Sequence, residues 1–147
     1  MEQLNFKSYP LRLKNKENKR YIFDVIRKKE ILLTPEEWVR QHCLHFLIHD
    51  KKYPKSLINV EKKIDVFGQA KRYDIIVYKT SGEVAILVEC KAPEVSIDQN
   101  TFDQIARYNL SVNSTYLMVT NGLNHIYCQM DYHNKTYHFL KALPAYS

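Results

Sequence analysis

The sequence has 147 residues, of which 45% are hydrophobic and 26% charged, with only three glycines and five prolines. This composition is typical of a soluble globular domain and excludes a disordered chain. We therefore expect a single domain over residues 1–147. The sequence contains no run of 18 uncharged apolar residues and no apolar N-terminal segment. It therefore predicts neither a membrane span nor a signal peptide, and we expect a cytoplasmic protein.

The formal net charge of +6 is unevenly distributed. Residues 1–33 hold nine Lys or Arg against four acids, whereas residues 34–147 hold thirteen against twelve. Alternating apolar residues over Leu11–Arg27, around a polar turn at Asn15–Asn18, predict a basic β-hairpin attached to a nearly neutral core. Its cations suit contact with DNA phosphates, and protection of an edge strand by lysine explains them equally well.

A helix start is predicted at Thr34, which is followed by Pro35 at the first helical position. The helix should run to about His49. Glu37 occupies the capping-box position, whereas Glu36 lies on the line of residues that faces the core, so Glu36 is the better candidate for reaching a site. Both acids also stabilise a helix N-terminus electrostatically, which explains either of them without a site.

Three histidines, His42, His45 and His49, share one face of this helix. We interpret them as a polar face rather than a metal site, because no acidic partner accompanies them. Further along the chain, periodicity predicts a second helix over Ile97–Leu110. Strands are predicted over Leu57–Val66, Thr115–Thr120, His125–Met130 and Thr136–Leu140, with Gly68–Arg72 as a basic connection. The order of these elements predicts an α/β fold in which helices pack on a central mixed β-sheet.

The central stretch of the chain is a predicted β-hairpin, with strands at Ile75–Tyr78 and Val84–Val88 around a turn at Thr80–Gly82. If position i pairs with 163 minus i, Asp74 lies opposite Glu89, and both side chains point to the same face. Like charges on directly paired positions repel each other, so a bound divalent cation would offset the conflict. A register slip of one residue would turn Asp74 to the other face.

Asp74 and Glu89 are the ligand types that Mg²⁺ prefers, and the backbone carbonyl of Cys90 could add a third oxygen. Lys91 returns to the face of Glu89, where it could orient or deprotonate a water molecule or neutralise charge on a phosphate. The sequence thus supports metal-dependent phosphodiester hydrolysis. A surface ion pair between Glu89 and Lys91 is the simpler alternative.

The spacing of Asp74 and Glu89-Cys90-Lys91 resembles the signature of the PD-(D/E)XK nuclease superfamily. Further segments, over about residues 20 to 122, resemble the N-terminal nuclease domain of type I restriction enzyme R subunits. These segments are Tyr21–Arg27, Leu33–Gln41, Arg72–Tyr78, Val88–Pro93, Asp103–Asn109 and Thr120–Gly122. The resemblance implies a restriction-endonuclease-like core and magnesium-dependent cleavage of DNA, with manganese as a substitute metal.

The resemblance implies that Asp74 and Glu89 bind the metal, that Lys91 is catalytic and that Glu36 assists. Gln104 and Tyr108 are similar to a helix motif that orders the site or the DNA. Glu37 and Arg40, both on the first helix, are also predicted to support the site or the bound DNA. Tyr73 stands where the superfamily name has proline, a change that leaves the chemistry intact.

The sequence contains no Gly-x-x-x-x-Gly-Lys-Ser/Thr phosphate loop, so we expect ATP-driven translocation to require another polypeptide. The expected partners are DNA and the helicase or translocase and specificity subunits of a restriction system, with no membrane partner. The main alternative is a catalytically inactive module that keeps the nuclease fold for DNA binding or assembly. A phosphohydrolase acting on small nucleotides is a third interpretation, against which the sequence offers no glycine-rich phosphate cradle.

Overall fold

A computed structural model describes all residues, 1–147, and its first element is a small antiparallel sheet in the basic N-terminal segment. Strands β1 (Leu13–Lys16), β2 (Lys19–Asp24) and β3 (Lys29–Leu32) pair in chain order. The predicted hairpin is confirmed, but its turn is confined to Glu17 and Asn18, which both adopt positive φ angles. The third strand was not predicted, because its four residues are too few to show a clear alternation.

Helix α1 (Pro35–His45) begins where the sequence predicts, because the Thr34 hydroxyl accepts a hydrogen bond from the Glu37 backbone N–H at 3.1 Å. It continues as a π-helical turn over Phe46–Asp50. The capping-box prediction for the Glu37 side chain is wrong, since this carboxylate bonds to Arg27, Arg40 and Gln41 rather than to the cap. A short 3₁₀ turn, Lys55–Leu57, leads into the main sheet.

The rest of the chain contains six strands and one helix: β4 (Ile58–Val66), β5 (Gln69–Tyr78), β6 (Val84–Cys90), α2 (Gln99–Asn109), β7 (Tyr116–Thr120), β8 (His125–Asp131) and β9 (Thr136–Leu140). The six strands form the main sheet in the order β4-β5-β6-β7-β8-β9. The parallel pair, β6 with β7, is connected through helix α2, and the other pairs are antiparallel. The α/β prediction with a mixed sheet is therefore confirmed.

Each face of the main sheet carries one apolar cluster and one helix. On the α1 face, Val39 and Cys43 pack with strand residues that include Ile75 and Val88. On the α2 face, Phe102 packs with residues from four strands. The two helices therefore cover opposite faces of the sheet. No helix of the structure is long and apolar enough to cross a membrane.

Two sequence interpretations are wrong. The residues read as a basic connection, Gly68–Arg72, belong to β5 from Gln69 onward, because the turn before them takes only Phe67 and Gly68. The histidine face of α1 is not a solvated polar face. His42 and His45 are buried, and their rings contact Tyr9 of the N-terminal segment.

Candidate active site

The register of β5 and β6 determines where the two central carboxylates lie. Ile75 pairs with Val88, Ile76 with Leu87 and Val77 with Ile86, as the turn position predicts. Continued by one residue, this register places Asp74 opposite Glu89. The register shifts only at the other end, beside the turn, where a bulge follows Val77.

Asp74 is held by groups from two directions. Its Oδ1 atom accepts a hydrogen bond from Arg40 Nη2 at 2.7 Å, and its Oδ2 atom accepts one from the Cys90 backbone N–H at 2.8 Å. In an antiparallel strand, the N–H and C=O groups of one residue point toward the same neighbour. The Cys90 carbonyl therefore lies on the Asp74 side of β6, where its predicted role as an oxygen ligand needs it.

Glu89 is a partly buried acid without an ion-pair partner. Its Oε1 atom is inaccessible to solvent and forms no hydrogen bond. Burial, reinforced by the neighbouring charge of Asp74, raises the pKa of Glu89 to about 8, and the protonated group can hydrogen-bond to Asp74. Without a cation, the two carboxyl groups thus hold a proton where two negative charges would otherwise meet.

Arg40 organises the carboxylates on the α1 side. Its guanidinium contacts Glu37 at 2.6 Å, Glu36 at 2.9 Å and Glu61 at 2.9 Å, in addition to Asp74. Its side chain is buried among these carboxylates, and its supporting role at the site stays a prediction. Arg40 is therefore the cation that joins all four of these acids, and Arg27 and Arg72 each pair with one of them at the edge of the cluster.

The two acids of the first helical turn have different environments. Glu37 is buried and its carboxylate is fully occupied by Arg27, Arg40 and Gln41. The Glu36 side chain is 49% exposed. Partial burial, together with the charge of Asp74, raises the pKa of Glu36. Glu36 is therefore the acid of this turn that remains open to solvent beside Asp74, although it does not lie on the core side of the helix.

Lys91 follows the end of β6, where its backbone N–H donates to Thr120 at 2.8 Å. Its positive charge opposes the rise in pKa of both Glu36 and Glu89, so the ammonium group interacts electrostatically with the two acids. The ion pairs of the cluster involve Arg27, Arg40 or Arg72, and none includes Lys91. The lysine is thus near the carboxylates yet remains unpaired.

Helix α2 contributes an exposed edge to the site. Tyr108 is 48% exposed and stacks under Lys71, whose Nζ atom lies 3.3 Å from the ring centroid. Burial, with the charges of Glu89 and Tyr108, raises the pKa of Tyr73 to about 12. Gln104, the other predicted residue of this helix, is exposed, and no hydrogen bond joins it to the carboxylates. The structure therefore brings Tyr108 next to the site and leaves Gln104 at its margin.

Comparison with known protein families identifies the family of the chain. Residues 35–144 match the family model described as the type I restriction enzyme R protein N terminus. The chain belongs to this family. All the site residues described above, from Glu36 to Tyr108, lie within the matched region of this R-protein N-terminal domain. Curated proteins provide no match to the chain.

The donor set of the R-protein N-terminal domain fits a hard divalent cation. No group of three Asp, Glu, His or Cys side chains is arranged to hold a metal. Mg²⁺ nevertheless needs only one or two protein carboxylates, with water and substrate phosphate as its other ligands. The unpaired Glu89 Oε1 atom and the remaining lone pairs of Asp74 supply such ligands.

Sequence reasoning missed two residues of this domain's site, Glu61 and Lys71. The signal for Glu61 was the turn at Phe67 and Gly68, because a two-residue turn there places position 61 opposite Asp74. Lys71 acts on Glu89 through its charge. It was overlooked because the segment that contains it was assigned to a connection rather than to a strand.

Proposed function

We propose that the chain is a magnesium-dependent DNA endonuclease domain with the catalytic arrangement of the PD-(D/E)XK nucleases. The observation that carries the proposal is the unpaired, buried Oε1 atom of Glu89 beside Asp74. A protein that needed only stability would gain by replacing Glu89 with an apolar residue. A cation site explains why two acids occupy this position.

In this proposal, Asp74, Glu89 and the Cys90 carbonyl hold Mg²⁺, and Mn²⁺ can substitute. The cation, when bound, polarises the scissile phosphate and stabilises the developing charge. Arg40 and the Cys90 N–H fix the orientation of the Asp74 carboxylate. The orientation of Asp74 is thus set before substrate binds, which lowers the cost of assembling the site.

Lys91 is proposed to contact the scissile phosphate directly. Because it forms no ion pair in the cluster, its ammonium group is free to donate hydrogen bonds to a phosphate oxygen and to neutralise the charge that builds there. Glu36, open to solvent on the α1 side, assists by accepting hydrogen bonds from a water molecule near Asp74. The expected substrate is duplex DNA, held by the basic N-terminal sheet.

The family places this domain in the context of a restriction system. We infer that a helicase or translocase subunit and a specificity subunit act with it, because sequence selection and DNA movement need functions that the site does not contain. Cleavage itself needs only the residues described here, so it should be measurable with the isolated chain.

Lys91→Ala tests the proposal, because it removes the ammonium group and leaves both carboxylates in place. We expect nicking of supercoiled plasmid in Mg²⁺ to fall by at least 100-fold, as for loss of one transition-state contact. Mg²⁺ affinity, measured by titration calorimetry, should stay within about threefold. Lys79→Ala, at an exposed position just after the far end of β5, is the matched control and should cut normally. Unchanged nicking by Lys91→Ala would exclude the assigned role.

A further inference from the structure

The β4–β5 hairpin extends well past the candidate site. Strand β6 ends at Cys90, whereas β4 and β5 remain paired from Lys62 with Tyr73 out to Val66 with Gln69. Residues 62–72 therefore form a two-stranded arm that projects from the sheet beside Asp74. No third strand covers the end of this arm.

The tip of the arm is an aromatic residue in an unfavourable position. The Phe67 side chain is 91% exposed, the highest exposure among the large hydrophobic residues of the chain. Phe67 has φ +51° and Gly68 φ +80°. Two-residue turns of this kind favour Asn-Gly, because bulky side chains are strained in the left-handed region. Phenylalanine at this position therefore lowers the stability of the hairpin, and burial of its ring does not compensate for the strain.

The arm also concentrates positive charge. Lys63 pairs directly with Arg72, and both side chains are exposed. Like charges on paired positions repel each other. Arg72 also pairs with Glu61 at 3.2 Å, whereas Lys63 forms no ion pair and could contact an anionic partner. Lys62 and Lys71 lie on the other face, and a single exposed acid of the arm, Asp65, opposes the four cations.

An open cavity of about 410 Å³ lies between the tip and helix α2. Phe67 and Tyr108 provide aromatic surface to this cavity, and Arg107 provides a cation. Exposed aromatic rings interleaved with cations suit a partner that has both phosphates and stacked bases. A lipid surface or an acidic protein would satisfy the charges, but neither needs the second aromatic ring beside the site.

We propose that the arm lies along duplex DNA and that Phe67 inserts between two base pairs as a wedge. The proposal rests on the proposed function, because the DNA is assumed to continue from the carboxylates to the arm. Phe67 is seven residues from Asp74, or about 24 Å along an extended strand. At about 3.4 Å per base pair, the wedge enters about seven base pairs from the cleaved phosphate. Apolar wedges of this kind unstack one base step and kink the duplex.

Phe67→Asn separates binding from folding, because it introduces the Asn-Gly turn that this hairpin geometry favours. We expect the variant to unfold at a higher temperature than the wild type and yet to bind a 30-base-pair duplex about tenfold more weakly. Phe67→Trp should restore the affinity. Phe139→Ala, which changes a 58% exposed phenylalanine on the opposite edge strand, is the control and should bind normally.

Affinities are measured by fluorescence anisotropy in EDTA, so that the result is independent of metal and cleavage. The salt dependence of the DNA affinity distinguishes insertion of the ring from contact with phosphates. Phe67→Asn should leave the slope of log K against log salt unchanged, whereas Lys63→Ala should reduce its magnitude by about one. A duplex with 2-aminopurine at one step should brighten on binding of the wild type and remain dark with Phe67→Asn.

Equal affinity of Phe67→Asn and wild type, or no 2-aminopurine signal at any position, would overturn the wedge. Failure of the wild type to bind duplex DNA would overturn it as well. Plasmid cleavage in Mg²⁺ is scored separately. If the wild type cuts plasmid but Phe67→Asn binds DNA as tightly as the wild type, only the wedge is refuted. If the wild type binds and unstacks DNA but does not cut it, only the nuclease assignment is refuted.

Discussion

Glu89→Gln should make the metal-free protein more stable while destroying the proposed cation site. The glutamine amide has nearly the same shape as the acid and can donate a hydrogen bond to Asp74. In the wild type, burial and the charge of Asp74 raise the pKa of Glu89 from 4.5 to about 8. The unfolded chain releases this proton near pH 4.5, so holding it in the folded state costs free energy as the pH rises from 4.5 toward 8.

The size of the effect follows from the pKa difference. Each pKa unit corresponds to about 1.4 kcal/mol, so the cost at pH 7 is about 3 kcal/mol, and it is below about 1 kcal/mol at pH 5. Glu89→Gln removes the titration altogether. The variant should therefore exceed the wild type in unfolding free energy by about 3 kcal/mol at pH 7, and the gap should nearly vanish at pH 4.5.

Urea unfolding followed by circular dichroism, in EDTA at pH 4.5, 6, 7 and 8, measures this gap. Glu94→Gln, at an exposed position just after the site, is the matched control and should follow the wild type at every pH. Mg²⁺ should then stabilise the wild type and have no effect on Glu89→Gln, because a ligand that binds only the folded state raises its stability. A gap that does not change with pH would refute the buried, protonated state of Glu89.

Two further predictions concern the residues that hold the site together. Arg40→Ala leaves the buried Glu37 and the partly buried Asp74 without their shared cation and should lower the unfolding free energy by about 3–5 kcal/mol. Arg72→Ala, which removes an exposed pair with Glu61, should cost below about 1 kcal/mol by the same urea assay. Equal losses would contradict the central role of Arg40. Thr34→Ala removes the N-cap of α1 and should cost about 1 kcal/mol, whereas Thr80→Ala, in an exposed turn, should be neutral. An unchanged thermal midpoint for Thr34→Ala would show that the cap contributes little.

Much of the fold could be predicted from local patterns. Thr34 and Pro35 set the start of α1 because the cap depends on neighbouring residues alone. The turn at Gly82 set the register that brings Asp74 toward Glu89, since antiparallel pairing propagates from the turn. These features need little information from distant parts of the chain.

The remaining parts of the site depend on tertiary contacts that no local pattern carries. The buried carboxylate of Glu37 pairs with the guanidinium of Arg27, which lies ten positions earlier in the turn between β2 and β3. Arg40 binds Asp74 across 34 residues of sequence. The histidines of α1 were misread for the same reason, because Tyr9 reaches them only after the N-terminal segment folds back.

The most direct test of the central claim is cleavage of supercoiled plasmid by the purified chain, with Mg²⁺ or with EDTA, for the wild type and Asp74→Ala. We predict nicked or linear product with the wild type in Mg²⁺, none in EDTA, and none with Asp74→Ala although that variant still binds DNA. Intact plasmid with the wild type in both Mg²⁺ and Mn²⁺, or equal cutting by Asp74→Ala, would contradict the account.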